Sequence, residues 1–132
     1  MKKCAVFLCS FVLLCAGCAA WFSPLCFVGG EAFVYENNAP IEALADAVCY
    51  MPNDVVRVDF DGSEDDMCAA LDNIDAVTVE RTELDGLVIV YAYSPRVCAN
   101  ALSLSSGGKY NVMAAWRDGR VAIGAPVLEG SY

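Results

Sequence analysis

The clearest pattern in the chain lies at its end, from Lys109 to Tyr132. Tyr110, Val112, Ala114 and Trp116 alternate with Asn111, Met113, Ala115 and Arg117. After Asp118-Gly119, Val121, Ile123 and Ala125 alternate with Arg120, Ala122 and Gly124. A period of two residues is the signature of a strand with one face buried. Asp-Gly between two such runs predicts a hairpin closed by a type I′ turn, which needs positive φ at both central residues. Pairing Arg117 with Arg120 puts Trp116 on the face of Val121 and Ala114 on the face of Ile123. That face is apolar and requires a partner layer.

The preceding residues are expected to supply it. Glu31 to Asn38 reads as a short connector. Asn38 can cap a helix with Pro40 in its first turn, and Ile41, Leu44, Val48 and Met51 share one helical face. Pro52 stops that helix. Val55 to Asp61 alternates as a strand, with Val56, Val58 and Phe60 opposite Val55, Arg57 and Asp59, and Asp61-Gly62 ends it. Ser63 begins a second helix, with Asp66 in the capping-box position and Glu64, Asp65 and Asp66 at the positive end of the macrodipole. Met67, Leu71 and Ile74 are its apolar stripe. Ala76 to Glu83 is a strand, Asp85-Gly86 a turn, and Leu87 to Tyr93 a strand apolar on both faces, which predicts a central position. Ser94-Pro95 ends it, and Arg96 to Gly108 is a loop. Helix, strand, helix and four further strands predict an α+β domain: an antiparallel sheet of about five strands with two short helices packed on one face.

Upstream of this domain the pattern changes. Lys2-Lys3 precedes a stretch, Cys4 to Gly30, without one charged residue. The reading is an N-terminal signal or anchor helix over residues 1–32 and a single domain over residues 33–132. Three outcomes compete for the segment. Signal peptidase could cut after Ala20 or Ala32, giving a mature start at Trp21 or Phe33. Cys15-Ala16-Gly17-Cys18 is an imperfect lipobox, which makes Cys18 a candidate lipidation site. Uncleaved, the apolar run is long enough to span a bilayer, for which ~20 residues suffice. All three place the domain outside the cytoplasm, because lysines precede the apolar run and acidic residues follow it.

Charge narrows the function classes. All seventeen acidic residues lie at or after Glu31, together with only six of the eight basic ones, so the body has a formal charge of −11. Such a body repels a phosphate backbone, so no nucleic-acid partner is expected. The absence of histidine excludes Ser-His and Cys-His nucleophilic pairs and the commonest metal ligand. Five of the eight cysteines fall in the apolar segment, where they act as small hydrophobes. Of Cys49, Cys68 and Cys98, the first two sit on predicted helices and form the candidate disulfide, against the alternative of three buried thiols. Asp59-x-Asp61-Gly62 lacks the glycine and glutamate spacing of an EF-hand, so no metal, cofactor or catalytic residue is assigned.

The run Asn111-Val-Met-Ala-Ala-Trp-Arg117, then Val121-Ala-Ile-Gly124, Pro126 and Tyr132, resembles the ending of the YwmB-like family. These are secreted or membrane-anchored proteins of Gram-positive bacteria, with a fold like that of the TATA-box-binding protein. The resemblance covers roughly Ala39 to Tyr132, with Val88 to Ser94 as the penultimate stretch, and implies a shortened version of that fold. It implies no catalytic residues. The resulting expectation is a non-enzymatic, extracytoplasmic, envelope-associated interaction module. Its partner would be an envelope protein, with membrane contact through the N-terminal segment. Its candidate surface is the open face of the sheet, with Arg57, Asp59, Glu80, Arg81 and Arg117 among Asn111 and Met113. The alternatives are a lipoprotein anchored through Cys18 with a structural role, an enzyme using Asp59 and Asp61, and nucleic-acid binding by analogy of fold.

Overall fold

The computed structural model describes residues 9–10, 12–13, 30–36, 39–42 and 55–128. In chain order they form β1 (Glu31–Glu36), β2 (Ala39–Glu42), β3 (Val55–Asp61), α1 (Glu64–Asn73), β4 (Val77–Leu84), β5 (Leu87–Tyr93), β6 (Leu102–Ser103), β7 (Lys109–Tyr110), β8 (Val112–Arg117) and β9 (Arg120–Ala125). Seven strands make one antiparallel sheet in the order β2-β1-β3-β9-β8-β5-β4, and β6 pairs with β7 apart from it. Five of the seven, β3, β9, β8, β5 and β4, form the α+β body with α1 across one face.

The connections follow from this order. After β3 the chain crosses the sheet through α1 and emerges at the far edge as β4. It turns back into β5, leaving a slot two strands wide between β5 and β3. The last hairpin, β8–β9, fills that slot. Trp116 pairs with Val121, Ala114 with Ile123 and Arg117 with Arg120, in the register the alternation predicts. Asp118 and Gly119 have φ of 49° and 81°, so both turn residues occupy the left-handed region that a type I′ turn requires. Asp85 and Gly86 repeat the device between β4 and β5.

The core lies between the sheet and α1. A row of pairs crosses four strands: Val58 with Ile123, Ile123 with Ala114, Ala114 with Val90. Ala114 and Ala92 are fully buried and small, which lets the helix seat closely on β8 and β5. Met67, Ala70, Leu71 and Ile74, at i, i+3, i+4 and i+7, fill the space above them. Ser63 caps the helix as expected: its hydroxyl accepts from the Asp66 amide and the Asp66 carboxylate accepts from the Ser63 amide. Those hydrogen bonds hold the Asp66 carboxyl below its ordinary pKa. Trp116 Nε1 donates to the Gly62 carbonyl at 3.0 Å, and the Gly62 amide donates to Gly119, so the hairpin end clamps the linker into the helix.

A second clamp is polar and buried. Ser94 is fully buried and Asn111 is 2% exposed. The Ser94 amide donates to Asn111 Oδ1 at 2.8 Å, while Asn111 Nδ2 donates to the carbonyls of Ser94 and Val97. The Ser94 hydroxyl donates to the Ile74 carbonyl, reaching the end of α1. Every polar atom of this hub has a partner, and the hub joins the helix, the end of β5 and the start of β8.

Several expectations are corrected here. Glu31–Glu36 is strand β1 and not a connector, pairing with β3 from Glu31–Asp59 to Tyr35–Val55. Ala39–Glu42 is strand β2, so the helix expected from Pro40 does not begin there. Pro40 is compatible with β2 because β2 is an edge strand among the described residues, a position where proline is tolerated in a sheet. Ile41 therefore sits in a strand, while Asn38, Leu44, Val48 and Met51 lie outside the described residues. Among the described residues the body has the five antiparallel strands expected, which β1 and β2 extend at one edge, and one helix where two were expected. β5 is interior but next to the edge strand; the central position belongs to β9, where Val121 to Ala125 are all buried. Asn111 belongs to the buried hub and not to an open surface.

Replacing Asn111 with alanine removes the partner of one buried amide and two buried carbonyls. The expected cost is about 3 kcal/mol, at 1–3 for an orphaned buried group with partial relaxation. Urea unfolding should show a lower midpoint at unchanged slope; an unchanged midpoint would show that water replaces the side chain without loss.

Candidate functional site

The alternation that sends Val56, Val58 and Phe60 of β3 toward the helix sends Arg57, Asp59 and Asp61 to the opposite face. On β9 the same face carries Arg120, Ala122 and Gly124. The register sets Arg57 against Gly124, Asp59 against Ala122 and Asp61 against Arg120. Ala122 and Ala115, paired with each other, are small and buried, so the floor of this face is low. Arginines rise from it on two sides.

The result is a cleft of about 390 Å³, lined by Arg57, Asp59, Arg117, Asp118, Arg120 and Ala122. That volume falls at the lower end of the range for small-molecule sites. Its inner wall is a buried ion pair. Arg57 Nε donates to Asp59 Oδ1 at 2.6 Å and Nη2 donates to Oδ2 at 2.9 Å. The side chains are 8% and 14% exposed, so the fork-to-carboxylate geometry is held in a largely desolvated setting. Its outer wall is the hairpin end. The turn at Asp118-Gly119 places Arg117 and Arg120 directly across from each other. Arg117 Nε lies 3.6 Å from Asp118 Oδ2, with the two side chains 48% and 91% exposed. One end of the face is closed by the chain itself. Past Pro126 it doubles back, and any Cβ on Gly124 would run into the Val127 carbonyl, so glycine is required there.

Of the five residues expected on this surface, Arg57, Asp59 and Arg117 come together in the cleft. Arg81 does not. The β4–β5 register shifts at Val79, a bulge that moves every later residue of β4 to the other face. Arg81 thus faces the helix side, where Nη2 donates to Glu64 Oε1 at 2.9 Å and Glu83 Oε2 at 3.3 Å. Glu80, turned to the open side by the same bulge, accepts from the Ser106 hydroxyl. Asn111 lies in the buried hub, and Met113 is half-buried opposite Gly124. Arg120 was absent from the expected surface. The signal for it was present, because the pairing of Arg117 with Arg120 already puts both on one face.

Three of the acidic residues around the start of α1 are committed locally: Asp59 to Arg57, Asp66 to Ser63, Glu64 to Arg81. Cys68 is an exposed free thiol, so the expected bridge to Cys49 is not formed by it; Cys49 and Cys18 lie outside the described residues. Cys98 is exposed, which corrects the alternative of three buried thiols. No protein-family model matches the chain, no curated protein matches it, and no solved structure matches its fold.

Two predictions follow from these surroundings. Asp59→Asn removes the bidentate carboxylate that faces the buried Arg57 guanidinium and should cost about 2–4 kcal/mol. Urea unfolding at low and at high salt measures it; an exposed pair would lose under about 1 kcal/mol and vanish with salt. The second concerns Cys68. Partial burial, reinforced by Glu64, Asp65 and Asp72 and opposed by Arg81, pushes its thiol pKa up. Its alkylation by iodoacetamide, followed on the Cys68 peptide by mass spectrometry, should have a midpoint at higher pH in the native chain than in urea. Equal midpoints would contradict that environment.

Proposed function

We propose that this protein is a non-enzymatic binding module that works outside the cytoplasm at the cell envelope, with the arginine-lined cleft as its recognition surface. The observation that carries this reading is the placement of charge. The body has six basic residues against seventeen acidic ones, and three of the six, Arg57, Arg117 and Arg120, line one cleft on the open face. With Asp59 and Asp118 also in the lining, the cleft keeps a net positive charge on a body of net −11, which favours anionic ligands that the rest of the surface repels. Binding is favoured over carboxylate chemistry because Asp59 is spent on holding Arg57.

The envelope location rests on Lys2-Lys3 and the uncharged residues 4–30. Cys9, Ser10, Val12 and Leu13 are helical, and Val12 and Leu13 stand 59% and 72% exposed, which supports a signal or anchor helix with an apolar surface. Among the described residues no helix is long and apolar enough to cross a membrane. Membership of the YwmB-like family belongs to the same proposal. Its motif, Asn111 to Gly124, spans the hairpin at the centre of the sheet.

The test is capture through a tag after Tyr132 from detergent-solubilised envelope, with Arg117→Glu/Arg120→Glu beside the wild type. The expected result is recovery in the envelope fraction, a processed N-terminus or a lipid on Cys18 by mass spectrometry, and a partner absent from the charge-reversed chain. An uncleaved chain in the cytoplasm, or a partner set indifferent to the charge reversal, overturns it.

A further inference from the structure

The cations of the body fall into two groups. Arg57 is locked to Asp59, Arg81 to Glu64 and Glu83, and Arg96 donates to the Asn73 carbonyl and Asp75. Each has a carboxylate within 3.3 Å. Arg117 and Arg120 differ. They face each other across a two-residue turn, where directly opposed like charges destabilise a strand pair. Arg117 has only the long contact to the highly exposed Asp118. Arg120 makes no ion pair among the described residues, although Asp61 is its cross-strand neighbour on β3. Lys109 also makes none there, but it is not part of the cleft lining.

In a chain with about two acidic residues for every basic one, two directly opposed arginines, one with only a 3.6 Å contact to an exposed carboxylate and the other with no ion pair among the described residues, are an electrostatic conflict. The same conflict makes a receptor. Two guanidinium forks a hairpin's width apart match the oxygens of one tetrahedral or planar oxyanion, which each can bind through paired N–H donors. Behind them Arg57 is held immobile by Asp59, so the back wall keeps its geometry without a ligand.

We propose that Arg117 and Arg120 form an oxyanion clamp at the mouth of the cleft, taking the phosphate or carboxylate group of a small soluble ligand whose remaining atoms lie over Ala122. This rests on the reading of the cleft as the recognition surface and adds its ligand class. It does not depend on the compartment.

The experiment is calorimetric titration of the full chain, in nonionic detergent at low salt, with inorganic phosphate and, separately, with succinate. Wild type should bind at least one of the two with a Kd in the millimolar range or tighter, weakening as sodium chloride is added. Preference between them assigns the ligand group as phosphate or carboxylate. Arg117→Ala and Arg120→Ala should each weaken binding about tenfold or more. Arg117→Lys/Arg120→Lys should recover part of it, since charge stays and the paired donors are lost. Both positions are exposed, so the variants should fold. Indeed Arg120→Thr should raise the melting temperature by about 1–4 °C without ligand, because it relieves the repulsion. Binding of neither anion at 20 mM, or binding that the alanine variants leave unchanged, overturns the clamp. If the clamp fails while envelope capture still depends on Arg117 and Arg120, the cleft recognises something other than a small oxyanion. If phosphate binds and capture does not depend on them, the clamp stands and the envelope reading falls.

Discussion

The constraint on which everything else depends is the slot between β3 and β5. Those strands are separated by two places in the sheet, and only the final hairpin can fill them. Until it does, Val58 has no ladder neighbour at Ile123, Val90 none at Ala114, and α1 has half a floor. The core is therefore completed last in sequence and through pairings distant along the chain, a topology whose loop-closure cost comes before its reward. The two clamps bridge these distant parts. Trp116 and Gly119 hold the linker before the helix, and Asn111 with Ser94 holds the end of the helix. Both are anchored by residues at the ends of β8, so inserting the hairpin also fixes where the helix lies.

That constraint explains what sequence could and could not reveal. The hairpin, its turn, its register and the capped helix were legible because each is local: two-residue alternation, Asp-Gly, Ser63 with Asp66. β1 and β2 were not. Glu31 to Glu42 has weak alternation, and its strand character depends on pairing with β3, about twenty residues later. Asn38 and Pro40 offer a good helix start in isolation, and nothing local shows that Pro40 sits on an edge. Arg81 was misplaced for a different reason. One extra residue at Val79 reverses every face assignment after it, and a bulge leaves no mark in a pattern as mixed as Val77 to Leu84. Asn111 was misplaced because it obeys strand alternation in sequence but occupies the bend between β7 and β8, where its amide is spent on carbonyls.

The two faces of the sheet divide the work. The helix face carries the apolar rows. The opposite face has alanine and glycine at its centre, and small side chains there do not stabilise a sheet by packing against each other. Their effect is geometric. A floor made by Ala115 and Ala122 leaves the depth that longer residues at those positions would fill, while Gly124 makes room for the returning chain at Val127. The cleft is thus a consequence of the same β9 residues that centre the sheet: one set faces the helix as core, the alternate set faces away as floor.

Within that cleft the charged residues have unequal standing. The Arg57–Asp59 pair is buried, bidentate and confined to one strand, so it can form as soon as β3 is extended. It serves as wall rather than as a free cation. Arg117 and Arg120 depend on the hairpin turn for their proximity and are solvated on their outer sides. Stability alone would favour opposite charges at these two positions, since seventeen acidic residues show no shortage of carboxylates in the chain. A conflict of this kind at the mouth of a concavity, beside a wall already rigid, is where a binding site and an optimally stable surface part ways.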